Sequence, residues 1–132
     1  MWCYTFDAVE DGGFRVRNMI VWNKGHGAMG VKWRSQHELI CWGARGSFEP
    51  GWGQGNVLTV PRSGNVYHPT EKPVPLVELL LKCCSPKQLV LDPFLGLGST
   101  AIAAARLGLD FIGVEMDEQY LAEAVRRVKD GD

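Results

Sequence analysis

The sequence predicts an α/β fold, a mixed sheet with flanking helices, on three observations. From His68 onward, short apolar runs suited to buried strands alternate with longer runs at helical spacing. Within that half, Asp92 to Thr100 (DPFLGLGST) has the form of a glycine-rich turn from a strand into a helix. Before His68, two β-branched and aromatic runs flank a glycine-rich loop, the pattern of an antiparallel pair.

Taken in order, Met1 to Phe6 is rich in aromatics and reads as a short buried strand, broken by the turn chemistry of Glu10 to Gly13. Phe14 to Trp22 alternates Phe14 and Val16 with Arg15 and Arg17 and predicts a strand; Lys24 to Gly30 holds three glycines and predicts a loop. His37 to Trp42 predicts the antiparallel partner strand. Gly46 to Pro61 lacks periodicity and predicts an irregular excursion, a candidate recognition loop. Pro75 to Cys84 has helical spacing and a proline suited to a first turn. Leu89 to Leu91 and Phe111 to Val114 predict strands. Ser99 to Leu107 predicts an alanine-rich helix stopped by Gly108, and Asp117 to Lys129 a helix capped by Asp117. Strands separated by helices imply a parallel pair with right-handed crossovers.

A chain of 132 residues is the size of one domain, and 45% hydrophobic with 22% charged residues is a globular composition. No apolar run approaches the roughly 18 residues of a membrane span, and the first residues lack a signal peptide's pattern, so a cytoplasmic, reducing setting is expected. Cys3, Cys41, Cys83 and Cys84 match no zinc spacing, and buried free thiols are expected. Net charge is -1, unevenly spread: Gly12 to Tyr67 carries seven basic against two acidic residues, and His68 onward seven against ten. A basic first half points to a polyanion, or to a solvated basic face.

The glycine turn carries the chemistry. Glycines remove the Cβ atoms that keep a ligand from the backbone, and the helix start beyond them leaves amide N–H groups available. Glu115, at the end of the next strand, stands where nucleotide-binding sheets hold ribose hydroxyls. Gly96-x-Gly98-x-x-Ala101 also satisfies a loose dinucleotide pattern. A triphosphate loop would need a lysine after Gly98, and Asp92 would repel a pyrophosphate but accept from the ammonium of a methionine moiety. S-adenosylmethionine therefore fits best, with a dinucleotide enzyme as a weaker alternative.

HPTEKP at 68–73, DPFLGLGST at 92–100 and FIGVEMDEQY at 111–120 resemble consecutive cofactor motifs of bacterial and phage DNA methyltransferases that modify exocyclic amino groups. MIVWNKG at 19–25 and QHELICWGARG at 36–46 resemble the strands after the catalytic motif in that family's circularly permuted beta class. The resemblance implies a partial Rossmann-like methyltransferase fold forming one partial domain over 1–132. Within it, 1–45 would follow the catalytic motif, 46–67 would be a target-recognition loop and 68–132 the cofactor half. It implies that Thr70, Glu71 and Lys72 lie at the methionine end of S-adenosylmethionine. Asp92, Phe94, Gly96 and Gly98 would wrap its centre, Glu115 would take the ribose hydroxyls, and Asp117 would approach the adenine. Double-stranded DNA is the implied partner, with Lys24, Lys32, Arg34 and Trp52 as its expected contacts. His37 and Glu38 are expected to be structural, and the other tryptophans mostly core.

The family's catalytic motif is an Asp, Asn or Ser followed by Pro-Pro and an aromatic residue, and it holds the flipped base. No Pro-Pro dipeptide occurs in this chain, so no catalytic residue is assigned. The resemblance places the missing strand between Leu89–Leu91 and Trp2–Phe6, which would leave unpaired strand edges. A second copy, a complementing catalytic chain or a rearranged sheet is expected to cover them. A non-catalytic cofactor- or DNA-binding module that completes a partner is the other reading.

Overall fold

The computed structural model describes residues 2–47, 53–63, 71–84, 86 and 88–131, and the chain divides into two compact units, Met1–Pro61 and Arg62–Asp132.

The first unit opens with helix α1 (Trp2–Asp11), followed by strands β1 (Arg15–Asn23), β2 (His37–Ala44) and β3 (Val57–Thr59). The strand expected at Met1–Phe6 is thus a helix over the described residues. Aromatic β-propensity is a weak preference that context overrides, and here the Gly12-Gly13 pair ends a helix instead of a strand. Phe14 N–H donates to the Val9 carbonyl (3.2 Å) and Gly13 N–H to that of Glu10 (2.9 Å), with Gly13 at φ 80°. The helix lies close on the sheet: a Cβ on Gly43 would come within 2.8 Å of Val9 Cγ1.

β1 and β2 pair antiparallel, as expected, with Ile20 opposite Ile40 and a bulge between Val16 and Asn18. β3 then adds parallel to β1, Trp22 opposite Leu58, so the sheet order is β2-β1-β3. The stretch expected to be wholly irregular therefore contains a strand. Its signal is only three residues, Val57-Leu58-Thr59, and docking recruits it: Trp22 Nε1 donates to the Val60 carbonyl (2.8 Å) and Val60 N–H to that of Asn23 (3.1 Å). Trp22, Leu58 and Val60 are the buried centre of this unit.

The second unit follows the expected order: α2 (Val74–Leu81), β4 (Leu89–Asp92), α3 (Ser99–Arg106), β5 (Asp110–Gly113) and α4 (Glu118–Asp130). β4 and β5 pair parallel, Val90 opposite Phe111. Alanines 101, 103 and 104 on α3 are buried, and their small size lets neighbouring helices approach. Val74 packs with Ile102 and Ala103 in one cluster; Leu95, Ala101 and Ala124 form a second, joined by Phe111. Asp117 caps α4 as expected, accepting from Gln119 N–H (2.9 Å) and Tyr120 N–H (3.1 Å).

One face of the β4–β5 pair stays open. Val90 is buried, whereas Leu89, Leu91, Ile112 and Val114 are 59, 63, 50 and 53% exposed. Parallel strands are ordinarily covered on both faces. The expected unpaired edge at Trp2–Phe6 does not exist, because those residues are helical from Trp2. Among the described residues β4 pairs with β5 alone. The thiols are also not buried: Cys3 and Cys83 are exposed and Cys41 and Cys84 half-buried. From Cys3 onward the short α1 exposes nearly all its side chains, and Cys83 follows the last residues of α2, where the helix face no longer turns inward.

Candidate cofactor site

The site lies wholly within the second unit, at the carboxyl end of β4. There Asp92 turns the chain by accepting Phe94 N–H on Oδ1 (3.0 Å). Leu95 N–H donates to the Val114 carbonyl (2.9 Å) and Val114 N–H to that of Asp92 (2.8 Å), extending the β4–β5 pairing into the loop. Glu115 then joins loop and strand end: Oε2 accepts Gly96 N–H (2.7 Å) and Oε1 accepts Asp117 N–H (2.9 Å). These donors stabilise the anion, Asp117 N–H foremost and Gly96 N–H next, and hold the Glu115 carboxyl below its ordinary value of 4.5.

The two loop glycines serve different ends. Gly96, at φ 54°, has nothing within 4 Å of where a Cβ would stand. Its backbone is open to an approaching ligand. Gly98, at φ 85°, faces protein: a Cβ there would meet Ala124 Cβ at 2.9 Å. Gly98 also begins α3 and has no side chain to cap it, so the first-turn amides are met by nothing from their own cap residue.

Together these elements wall an open cleft of about 380 Å³, within the usual range for small-molecule sites. Glu71, Lys72, Asp92, Phe94, Gly96 and Glu115 line it, so six of the nine expected cofactor residues are brought to one place. Phe94 is 87% exposed, which sets aside a core role for it. Gly98 and Asp117 are not on the wall: the first packs on α4, and the second spends Oδ1 on the α4 cap. Thr70 lies outside the described residues. With Glu71 paired to Arg127, Asp92 and Glu115 against Lys72 still leave the wall acidic, which disfavours a phosphate-bearing ligand and suits one carrying hydroxyls and a cation. The side chain of Glu71 is 4% exposed, and its Oε2 is buried without a hydrogen-bond partner among the described residues. Such an atom normally has a donor. Among the described residues no group of three or more His, Cys, Asp or Glu could hold a metal.

Two features were not read from the sequence. Arg127 is buried in α4, donating through one terminal nitrogen to the Leu97 carbonyl (2.8 Å) and pairing through the other with Glu71 Oε1 (3.0 Å). Its signal was its spacing of three from Ala124, which puts both on the inward face. In the first unit, Met29, Val31 and Trp33 are 101, 89 and 99% exposed and alternate with Gly30, Lys32 and Arg34. The alternation is visible in the sequence, but Trp33 is exposed and not core as expected of it. Trp22 is core and Trp42 is 36% exposed. Of the expected DNA contacts, Lys32 and Arg34 are exposed on this loop, and Trp52 lies outside the described residues. Lys24 turns inward at 7% exposure, its Nζ 2.6 Å from Glu38 Oε1 and 5.1 Å from the Trp22 ring centre. The pairing answers the buried ammonium, and it gives Glu38 the structural part expected of it.

The DNA methylase family model (N6_N4_Mtase) matches residues 52–126, and the chain belongs to that family. YubD of Escherichia coli (strain K12) is 38% identical over 117 residues, covering 86% of this chain and 51% of its own length. Type II methyltransferase M2.LlaDCHI of Lactococcus lactis subsp. cremoris is 29% identical, covering 94% of this chain and 55% of its own. The chain thus spans about half the length of these curated relatives. Among solved structures, the M1.HpyAVI–SAM complex matches with a TM-score of 0.80 and 28% identity, covering 95% of this chain and 68% of that one. The fold is that of the methyltransferases, a partial α/β Rossmann-like fold. No helix among the described residues is long and apolar enough to cross a membrane.

The lowered Glu115 carboxyl makes a pH prediction. Its anion is favoured in the folded loop, so the stabilisation exists above 4.5 and is lost as pH falls through the lowered value. Hydrogen exchange at the Gly96 amide should show protection unchanged through neutral pH and failing only in acid. Loss of protection already above 4.5 would show that another group holds the loop.

Proposed function

We propose that this chain is the cofactor-holding part of an S-adenosylmethionine-dependent DNA methyltransferase acting on adenine N6 or cytosine N4, in the circularly permuted order of that family. The observation that carries the reading is the loop open at Gly96 and pinned to Glu115, beside the buried Glu71 Oε2, which has no hydrogen-bond partner among the described residues. When bound, the cofactor supplies a methyl group on a sulfonium. Glu71 and Lys72, with Thr70 before them, hold its methionine end. Phe94 covers its centre, and Asp92 and the Gly96 backbone receive it. Glu115 has lone pairs beyond its two amide contacts, and these accept the ribose hydroxyls. Asp117 acts through the cap of α4. A fixed, partly desolvated donor site contributes orientation, which a direct transfer to an amine requires.

The residues that hold the flipped base are supplied by a polypeptide bearing the Pro-Pro motif. Calorimetry with S-adenosylmethionine should show binding, and a labelled transfer assay on mixed DNA should show no turnover by this chain alone. Absence of cofactor binding would overturn the reading, and robust turnover would overturn the assignment of catalysis elsewhere. Binding of DNA without cofactor affinity would favour the second reading, a non-catalytic module. The open apolar face of β4–β5 supports a complementing catalytic chain or a second copy as partner. Sedimentation at micromolar concentration should show association, and a stable, fully ordered monomer would overturn it.

DNA is the macromolecular substrate in this reading, and the cytosol its setting. Lys32 and Arg34, on either side of the exposed Trp33, are its contacts in the first unit. Lys32→Ala should weaken binding on all sequences and reduce the slope of log affinity against log salt by about 1. Lys24→Ala should leave that slope unchanged, because Lys24 is paired with Glu38. Equal slopes for both variants and the wild type would remove this loop from the interface.

A further inference from the structure

α4 touches the loop at two points one turn apart. Ala124 lies under Gly98, and Arg127, three residues on, reaches the Leu97 carbonyl at 2.8 Å. The same guanidinium meets Glu71 Oε1 at 3.0 Å, and both side chains are 4% exposed. One rigid planar fork therefore joins three separate stretches of chain: the entry to α2, the glycine loop and the last turns of α4. On the other side of the loop, Glu115 holds the Gly96 amide at 2.7 Å. The two contacts fall on neighbouring residues, one gripping an N–H and the other a C=O, so together they set the orientation of the backbone at Gly96.

We propose that Arg127 is a positioning residue for the cofactor site, holding the Leu97 carbonyl so that Gly96 stays open and holding Glu71 by one oxygen so that the other remains available. The part concerning ligand affinity rests on the proposed cofactor reading; the part concerning the loop does not. A buried ion pair is weak evidence of stability, since apolar residues often serve as well. A fork between a loop carbonyl and a wall carboxylate does something an apolar pair cannot, because it fixes direction.

The test uses the full chain and two readouts, amide hydrogen exchange at Gly96 and Gly98 and calorimetric affinity for S-adenosylmethionine. Arg127→Lys keeps a positive charge for Glu71 but cannot reach both partners in the fork geometry. Exchange at Gly96 and Gly98 is expected to rise selectively over that at Ile102 and Leu121, with affinity down at least about tenfold, the factor of about 1.4 kcal/mol. If exchange rises uniformly or not at all, Arg127 is merely structural and the proposal is overturned; full affinity in this variant would overturn it as well. Should Arg127→Lys fail to fold, Glu71→Gln leaves the Leu97 contact in place, and Gly96 and Gly98 should then stay as protected as in the wild type. Loss of that protection would overturn the proposal. A wild-type chain that binds no S-adenosylmethionine would sink the cofactor reading, while the exchange data would still decide the role of Arg127.

Discussion

Arg127→Met is expected to lower the unfolding free energy by about 3–5 kcal/mol, the usual cost of leaving one charge of a buried pair unpaired. The pair qualifies because Arg127 and Glu71 are each 4% exposed at the side chain and 3.0 Å apart. Neither can turn to water without breaking the packing around it, and the Leu97 carbonyl would lose its donor as well. Replacing both members, Glu71→Met with Arg127→Met, should recover most of that loss, because the desolvation of two charges disappears with them. Urea unfolding of the single and double variants measures this. A single variant within about 1 kcal/mol of wild type would show that the pair behaves as a solvated surface bridge. Exposed pairs set the contrast: Arg126 bridges Glu123 at 2.8 Å and Asp130 at 2.6 Å in the open, and Arg126→Ala should cost little.

Gly98→Ala is expected to cost about 2–5 kcal/mol, from about 1–2 for a left-handed conformation and about 1–3 for overpacking. Both terms have a visible source, the φ of 85° and an added Cβ 2.9 Å from Ala124 Cβ and 3.2 Å from its Cα. Helix α4 would have to move off the loop, so the variant should also loosen the contact of Arg127 with Leu97. Gly96→Ala separates conformation from packing. Its φ of 54° carries the same kind of strain, but nothing stands within 4 Å of the new methyl group, so about 1–2 kcal/mol is expected. That methyl group would project into the space left for a ligand, and cofactor affinity should fall by more than stability does. Unfolding and calorimetry on the two variants decide it; equal stabilities would mean that α3 and α4 can slide apart at little cost.

The second unit was legible almost to the residue because each local signal there agrees with the tertiary fold. Pro75 starts a helix, Gly108 stops one, Asp117 caps one, and the apolar runs at 89–91 and 111–114 can only be strands between them. Local chemistry also marked the cofactor loop and its acidic neighbours, since glycine spacing and the placement of Asp92 and Glu115 lie along the chain. Where signals competed, the sequence was a poor guide. The aromatics at 2–6 favour a strand, yet the glycine pair at 12–13 ends a helix, and packing of Val9 on Gly43 decides between them. Val57–Thr59 becomes a strand only because β1 offers it an edge.

Side-chain direction divides in the same way. Sequence alone determined which residues could meet a cofactor, and six of them do line one cleft. Only the tertiary structure decided that Gly98 serves helix packing, that Asp117 stands off the cleft wall, that Lys24 points inward and that Trp33 points out. It also decided that Arg127, one of two adjacent arginines on α4, is the one buried against the loop. The physical reason is that burial and pairing are properties of distance in space. Residues 71, 97 and 127 share a single guanidinium, and nothing in their order along the chain records it.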